Sequence, residues 1–175
     1  TATRMAGRGH REGTLPFRVF TVAREAGLVR ARAGLELKAD FGLADHPAAD
    51  VLVVPGGVVT AELQRAEVIR WLEARSREAT ITASVCTGAF LLAKAGLLEG
   101  KVATTHWEDV ADLRAQFPSV TVREGVRWVD EGRVVTSAGI SAGIDMSLHL
   151  VERLAGRELA LATARQMDVV WTEPT

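Results

Sequence analysis

Short apolar runs alternate with amphipathic stretches along most of this chain. Asp50–Val54 and Thr80–Val85 are rich in aliphatic or β-branched residues, which is typical of strands buried on both faces of a parallel sheet. The first run ends at the small residues Pro55–Gly57 and the second at Cys86–Gly88. Alternation of such strands with helical stretches predicts an α/β sandwich with a mostly parallel sheet.

The same periodicities predict the remaining elements. Strands are expected at Phe17–Ala23, Leu28–Arg32, Leu35–Lys38, Val120–Arg123, Val126–Val129 and Arg133–Ser137, with a hairpin around Gly34 and a turn at Asp130–Gly132. Helices are expected after Thr60 and Thr105 as candidate caps, and at Ala89–Leu98, Ser141–Leu154 and Glu158–Met167. Residues 1–16 show neither the helical nor the strand periodicity, which predicts an irregular or disordered arm. The whole chain, 1–175, is predicted to form a single domain.

Cys86, the only cysteine, lies on the turn between a predicted strand and a predicted helix. The dipole and free N–H groups of a helix N-terminus stabilise a thiolate, which is the nucleophile in covalent catalysis. A lone cysteine is more often buried and structural, but the strand–turn–helix context favours a reactive thiol. Right-handed crossovers would bring Pro55–Gly57, Cys86 and Ser137–Gly139 to one edge of the sheet.

Four neighbours are candidates for supporting this thiol. Gly56 and Gly57 allow backbone N–H groups to approach a ligand and hold a developing anion, although a plain turn explains them equally. Thr87 offers a hydroxyl that donates or accepts a hydrogen bond but does not act as a base. His106 either lines the pocket or caps the start of a helix.

Composition excludes several classes of protein. Hydrophobic residues make up 47% and charged residues 25% of the 175 positions, and the net charge of −1 gives no electrostatic sign of a nucleic-acid partner. A single cysteine fits a reducing compartment, and no apolar run approaches the ~20 residues of a membrane span, so we expect a cytoplasmic protein. No metal-ligand spacing or nucleotide-binding motif occurs, so neither a metal nor a cofactor is expected, and Asp145 is interpreted as structural.

Three motifs together resemble one family. They are V-P-G-G at Val54–Gly57, S-V-C-T-G with A-T-T-H-W between Ser84 and Trp107, and S-A-G-I-S-A-G-I-D at Ser137–Asp145. Their order and spacing are similar to the ThiJ/PfpI superfamily, in particular to isonitrile hydratases and to the ligand domains of AraC-type regulators. The resemblance implies a three-layer, flavodoxin-like sandwich with helices on both faces of the sheet, and a homodimer.

In the hydratases so resembled, the cysteine attacks the terminal carbon of an isonitrile, and water converts the adduct to an N-substituted formamide. The resemblance makes Cys86 the nucleophile and Thr87 its polar neighbour, with Gly57 in a backbone cradle. It also places Gly139 and Ile140 in the pocket, with Ile140 packed by the cysteine. The peptidase and glyoxalase branches have histidine directly after the cysteine, so a peptidase is not expected here.

The N-terminal residues depart from the family. Relatives begin with a strand and a loop of the form T-x-L-D-x-x-G-P, whose acid transfers protons near the thiol. In this chain Arg4 takes the place of that acid, so we expect the family's first strand to be missing or altered. Three functions stay open: an isonitrile hydratase-like lyase, which is the leading hypothesis, a ligand-sensing regulator domain, and a non-catalytic redox or electrophile sensor.

Overall fold

The computed structural model describes residues 1–7 and 16–172. The strands are β1 Gly27–Arg30, β2 Glu36–Ala39, β3 Val51–Val54, β4 Ile81–Val85, β5 Val102–Ala103, β6 Thr121–Val122, β7 Trp128–Asp130 and β8 Val134–Ser137. The helices are α1 Ala2–Gly7, α2 Thr60–Leu63, α3 Ala66–Glu78, α4 Gly88–Lys94, α5 Val110–Gln116, α6 Ser141–Ala155 and α7 Arg157–Gln166, with 3-10 turns at Arg32–Gly34 and Trp107–Asp109.

A four-stranded sheet in the order β3-β4-β8-β7 forms the centre of the molecule. Strands β3, β4 and β8 are parallel, whereas β7 runs antiparallel to β8. The register pairs Val54 with Ser84 and Val85 with Ser137. The carboxyl ends of the three parallel strands therefore meet at one edge, as the sequence predicts.

Helices cover both faces of this sheet. The core on one side joins α3, α4 and α5 through residues such as Leu72, Leu92 and Leu113, and the core on the other side joins α6 through Met146 and Leu150. Helix α7 packs against α6, and α1 packs against α7. The three-layer α/β sandwich is thus confirmed.

The N-terminal arm differs from its prediction. Ala2–Gly7 form helix α1 rather than irregular chain, while residues 8–15 lie outside the described residues. Arg4 lines a cavity with Gln166 and Met167, near the end of α7. Arg4, which takes the place of the family's acid in the sequence, thus belongs to a helix that packs against α7.

The predicted strand at Phe17–Ala23 is also wrong. This segment makes a single parallel bridge, between Val22 and Phe41, and hydrogen bonds that continue the end of β2. Within the described residues, β3 is the edge strand of the central sheet, so no ladder extends to this segment. A run with strand composition forms a strand only where a neighbouring strand accepts its backbone hydrogen bonds.

Most other boundaries agree to within a few residues. The hairpin of β1 and β2 is confirmed, and so is the turn after β7, where Gly132 N–H donates to Asp130 Oδ1 at 2.8 Å. The helix expected after Thr60 is two helices, α2 and α3. Thr60 is the first residue of α2 rather than its cap, and Thr105 caps no helix, because its hydroxyl is bonded elsewhere.

Candidate active site

Cys86 joins the end of β4 to the start of α4 in a conformation that residues with side chains seldom adopt. Its φ is +56°, and its side chain is half-buried. Its N–H donates to Ser137 O at 3.1 Å, and its carbonyl accepts a hydrogen bond from the Thr105 hydroxyl at 3.0 Å. Two neighbouring segments therefore hold the backbone of this turn in place.

Two glycines allow the turn after β3 to approach the cysteine. A Cβ on Gly56 would lie 2.8 Å from both Cys86 Cβ and Thr87 N. A Cβ on Gly88 would lie 2.4 Å from Val54 O. Both positions therefore require glycine, since these contacts are with backbone or with the cysteine itself.

Thr87 and Gly57 bond to each other. The Thr87 hydroxyl donates to Gly57 O and accepts from Gly57 N–H, both at 2.8 Å. The Gly57 N–H, expected in the anion cradle, is thus already satisfied by a side chain. It would reach an oxyanion only after giving up this bond, and at the start of α4 the Ala89 and Phe90 N–H groups likewise donate to Cys86 O and Thr87 O, at 3.2 and 3.1 Å.

His106 lies against the loop that follows β8. A Cβ on Gly139 would come within 2.2 Å of His106 Cδ2, so the imidazole occupies the space beside that glycine. His106 Nδ1 lies 3.4 Å from Asp109 Oδ2 and 3.7 Å from Glu108 Oε2. His106 occupies the cap position of the 3-10 turn Trp107–Asp109, where its carbonyl rather than its side chain accepts from Asp109 N–H at 2.9 Å, and its place in a substrate pocket stays a prediction.

Ile140 has φ +32° and ψ −83°, which is a rare conformation for a β-branched residue. Its side chain is 82% exposed, so it is not packed into the interior as its expected position by the cysteine would suggest. It directly precedes α6, and the Ala142 N–H donates to Gly139 O at 3.0 Å. The loop thus presents Ile140 to solvent at the same sheet edge as Cys86.

Asp145 is structural, as expected, but for a different reason. Its side chain is only 3% exposed and pairs with Arg127, which also donates to Ser141 Oγ at 3.1 Å. Asp145 Oδ1 accepts from Thr172 N–H at 3.0 Å. An ion pair and an anchor for the C-terminal tail, rather than the helix dipole, explain this acid.

Two cavities in the described part of the chain lie away from the cysteine. One, of about 440 Å³, is lined by residues that include Trp128, Asp130 and His149, and the other, of about 560 Å³, contains Arg4. Neither is lined by Cys86. Residues 1–7 and 16–172 contain no cluster of His, Cys, Asp or Glu suited to a metal ion.

Sequence reasoning missed two residues that fix the cysteine backbone, Thr105 and Ser137. Thr105 is 1% exposed and reaches Cys86 across 19 positions of sequence. Its place in the T-T-H-W motif was the available signal, but it was interpreted as a helix cap. Ser137 was placed at the same sheet edge as Cys86, but its carbonyl bond to the Cys86 N–H was not predicted, because it depends on the β4–β8 register.

The fold and this turn define a class of protein, the α/β sandwiches that carry a cysteine on a sharp strand-to-helix turn. Within that class the chain belongs to the DJ-1/PfpI family, whose profile matches residues 11–153. A solved ThiJ/PfpI family protein from Pseudomonas syringae has 29% identity and a TM-score of 0.80, covering 90% of this chain and 65% of that one.

Two of the curated relatives are a transcriptional regulator and an enzyme. The HTH-type transcriptional regulator GbdR of Pseudomonas aeruginosa is 37% identical over 146 residues, which are 83% of this chain and 40% of the regulator. The isonitrile hydratase of Pseudomonas putida is 36% identical over 147 residues, 83% of this chain and 63% of the hydratase. The chain thus spans less than two thirds of either relative. Within its described residues, each helix is too short or too polar to cross a bilayer.

Proposed function

We propose that this chain is a cysteine-dependent lyase that hydrates an isonitrile to an N-substituted formamide. The observation that carries the proposal is the strained turn at Cys86, held by Ser137 and Thr105 and approached closely by Gly56. Similarity to an isonitrile hydratase over 83% of the chain supplies the reaction type.

The chemistry balances without a cofactor. The Cys86 thiolate forms a bond to the terminal isonitrile carbon, and that carbon gains a proton to give a thioimidate. Water then adds to the same carbon, the C–S bond breaks, and the nitrogen gains a proton. The thiolate is regenerated, and the net reaction adds one water molecule to the isonitrile.

A proton must reach the carbon in the first step and the nitrogen in the last. The resemblance aligns Arg4 with the acid that relatives carry on their first loop, and Arg4 lies near the end of α7. His106 is a titratable side chain at the site loop, and its Nδ1 faces Asp109 and Glu108. We assign His106 to this proton transfer, with the two carboxylates orienting the ring.

Turnover of cyclohexyl isonitrile, followed by the formation of its formamide in NMR spectra, tests the proposal. Cys86→Ala should reduce turnover to the uncatalysed rate with an unchanged circular dichroism spectrum. His106→Gln should lower kcat by about 10²–10⁴-fold, since it removes the proton-transferring group but preserves a side chain of similar size. No formamide above background from the well-folded wild-type chain would refute the proposal.

A second function is supported by the regulators. GbdR matches this chain as well as the hydratase does, and the chain covers only 40% of its length. In that case the same sheet edge binds a small ligand without converting it. Binding measurements with Cys86→Ala separate the two functions. A sensor that does not use the thiol still binds its ligand after this substitution, whereas an enzyme that captures its substrate covalently through the thiol loses that capture.

A further inference from the structure

Thr105 is a buried residue that holds the backbone of the cysteine turn from outside. It is 1% exposed, and its hydroxyl donates to Cys86 O at 3.0 Å. The same carbonyl accepts from Ala89 N–H at 3.2 Å, but that donor belongs to the first turn of α4 itself. The Thr105 hydroxyl therefore ties the Cys86 carbonyl to a segment that is separate from the turn and from the helix that follows it.

Two hydrogen bonds to other segments together fix the backbone angles of Cys86. The angles φ and ψ describe how the two rigid peptide planes that meet at a Cα are rotated. Ser137 O accepts from Cys86 N–H at 3.1 Å and holds the plane before the Cα, and Thr105 holds the plane after it. Because a φ of +56° is unfavourable for a residue with a side chain, we expect the turn to relax when either plane is released.

The peptide plane that Thr105 holds also carries the N–H group of Thr87. All described peptide bonds are trans, so this N–H points away from the Cys86 carbonyl and hence away from Thr105. Thr87 N lies beside the turn after β3, because a Cβ built on Gly56 would be 2.8 Å from both Thr87 N and Cys86 Cβ. One buried hydroxyl thus helps to set the direction of the cysteine side chain and that of a backbone donor beside it.

The adjacent Thr104 makes the same kind of bond to a different segment. It is also 1% exposed, but its hydroxyl donates to Arg123 O at 2.9 Å, just after β6, and its N–H donates to Thr136 Oγ1 at 2.9 Å. Two neighbouring threonines of equal burial therefore each donate to a backbone carbonyl, and Thr105 is the one whose carbonyl belongs to Cys86. Thr104 shows what such a hydroxyl contributes to stability alone.

We propose that Thr105 is a positioning residue for the reaction at Cys86. Its hydroxyl holds the Cys86–Thr87 peptide in the orientation in which the thiol reacts, and it acts through the Cys86 carbonyl rather than through contact with the substrate. The inference rests on the proposed function, because it takes Cys86 as the reacting group. It goes further by giving a role in reactivity to a residue 19 positions away, on a different segment.

Alkylation by iodoacetamide tests this role without turnover, since Cys86 is the only cysteine. Each rate constant is divided by that for glutathione at the same pH. Thr105→Val keeps the shape of the side chain but removes the donor, and it should lower this ratio about three- to tenfold, the effect of one hydrogen bond. Thr105→Ser keeps the donor and should restore the wild-type ratio. In isonitrile turnover, Thr105→Val should lower kcat by a similar factor and leave KM unchanged.

Thr104→Val is the matched control, because it removes a hydroxyl of the same burial at the adjacent position. Both valine variants should lower the free energy of unfolding in urea, but only Thr105→Val should slow alkylation. Thr105→Ala removes the same donor and provides the measurement if Thr105→Val does not fold. The inference is overturned by an unchanged or faster rate without the Thr105 hydroxyl, by an equal loss in Thr104→Val, or by a slow Thr105→Ser. If alkylation follows the expected pattern but the wild type forms no formamide, the proposed hydration is rejected while the control of Cys86 reactivity by Thr105 is supported.

Discussion

Cys86 and Ile140 both have positive φ angles and lie in the turns that follow the adjacent strands β4 and β8. Each such conformation costs about 1–3 kcal/mol, which surrounding contacts must offset. For Cys86 those contacts are hydrogen bonds to Ser137 and Thr105. For Ile140 the next turn supplies one, from Gly143 N–H to Ile140 O at 3.1 Å. Strain at two neighbouring positions of one sheet edge is typical of a functional site rather than of a plain turn.

Asp130 provides a test of electrostatics at the scale of one residue. Burial alone would raise the pKa of Asp130, but hydrogen bonds from His149 and Gly132 N–H, with the charge of Arg153, outweigh it and hold the pKa below its usual value. The carboxylate lies 2.6 Å from His149 Nε2 and 3.0 Å from Arg153. Asp130→Asn should therefore lower the free energy of unfolding near pH 6 by about 1 kcal/mol, a modest value because water screens a partly exposed pair.

The sign of the pH dependence follows from the lowered pKa. The stabilisation by Asp130 is complete above the pKa of an unfolded aspartate, about 3.9, and is lost as the pH falls through the lower folded value. Urea unfolding of wild type and Asp130→Asn between pH 6 and pH 3 should show the difference shrinking below about pH 4. Glu131→Gln, at the adjacent position, is the control. A difference that grows on acidification would contradict the assignment.

At the scale of elements, Arg133 joins the C-terminal end of α3 to the start of β8. Its guanidinium donates to the carbonyls of Arg77 and Ala79 at 3.0 and 2.9 Å, and more weakly to Ser76 O at 3.3 Å. The carbonyls of Ser76 and Arg77 belong to the last turn of α3 and that of Ala79 to its cap residue, where intrahelical donors are lacking and positive charge is favourable.

Arg133→Met should lower the free energy of unfolding by about 1–2 kcal/mol, because it leaves these carbonyls without their charged donor. Arg70→Met, an exposed change on the same helix, should cost less than about 0.5 kcal/mol. Urea unfolding measures both differences in the free energy of unfolding, provided that the dependence of this free energy on urea concentration is the same for each variant. Equal effects of the two substitutions would show that the cap contributes nothing.

The sequence predicted the elements whose signals are local. Two apolar runs ending in small residues indicated β3 and β4, and alternation of strands and helices placed their carboxyl ends together, which the register confirms. Phe17–Ala23 also had strand composition, but composition does not show whether a neighbouring strand is present. Thr105 was misassigned for a related reason, since its partner Cys86 is 19 positions away and lies on a different element.

At the scale of the whole molecule, the buried Asp145 connects the site loop, through Arg127, to the C-terminal tail. Arg127 O accepts from Ala138 N–H at 2.9 Å, and its side chain bonds Ser141 and Asp145. Asp145 in turn holds Thr172 N–H, and its backbone carbonyl accepts from Trp171 Nε1 at 3.1 Å. These hydrogen bonds join segments that are distant in the sequence, so no local sequence pattern predicts them. The single domain and the homodimer, by contrast, stay predictions.

The Arg127–Asp145 pair should therefore contribute strongly to the stability of the whole fold. Asp145→Ala should lower the free energy of unfolding by about 1.5–3 kcal/mol, because it removes the buried acceptor of Arg127 and of Thr172 N–H, while water still reaches the guanidinium. The double variant Arg127→Met with Asp145→Leu should lose less than the single variant, since Arg127 is then not left without its acceptor. Urea unfolding measures both, with Asp112→Ala on the exposed side of α5 as the control. If Asp145→Ala cost no more than Asp112→Ala, or the double variant cost the sum of its parts, Asp145 would not be the residue that joins loop, helix and tail.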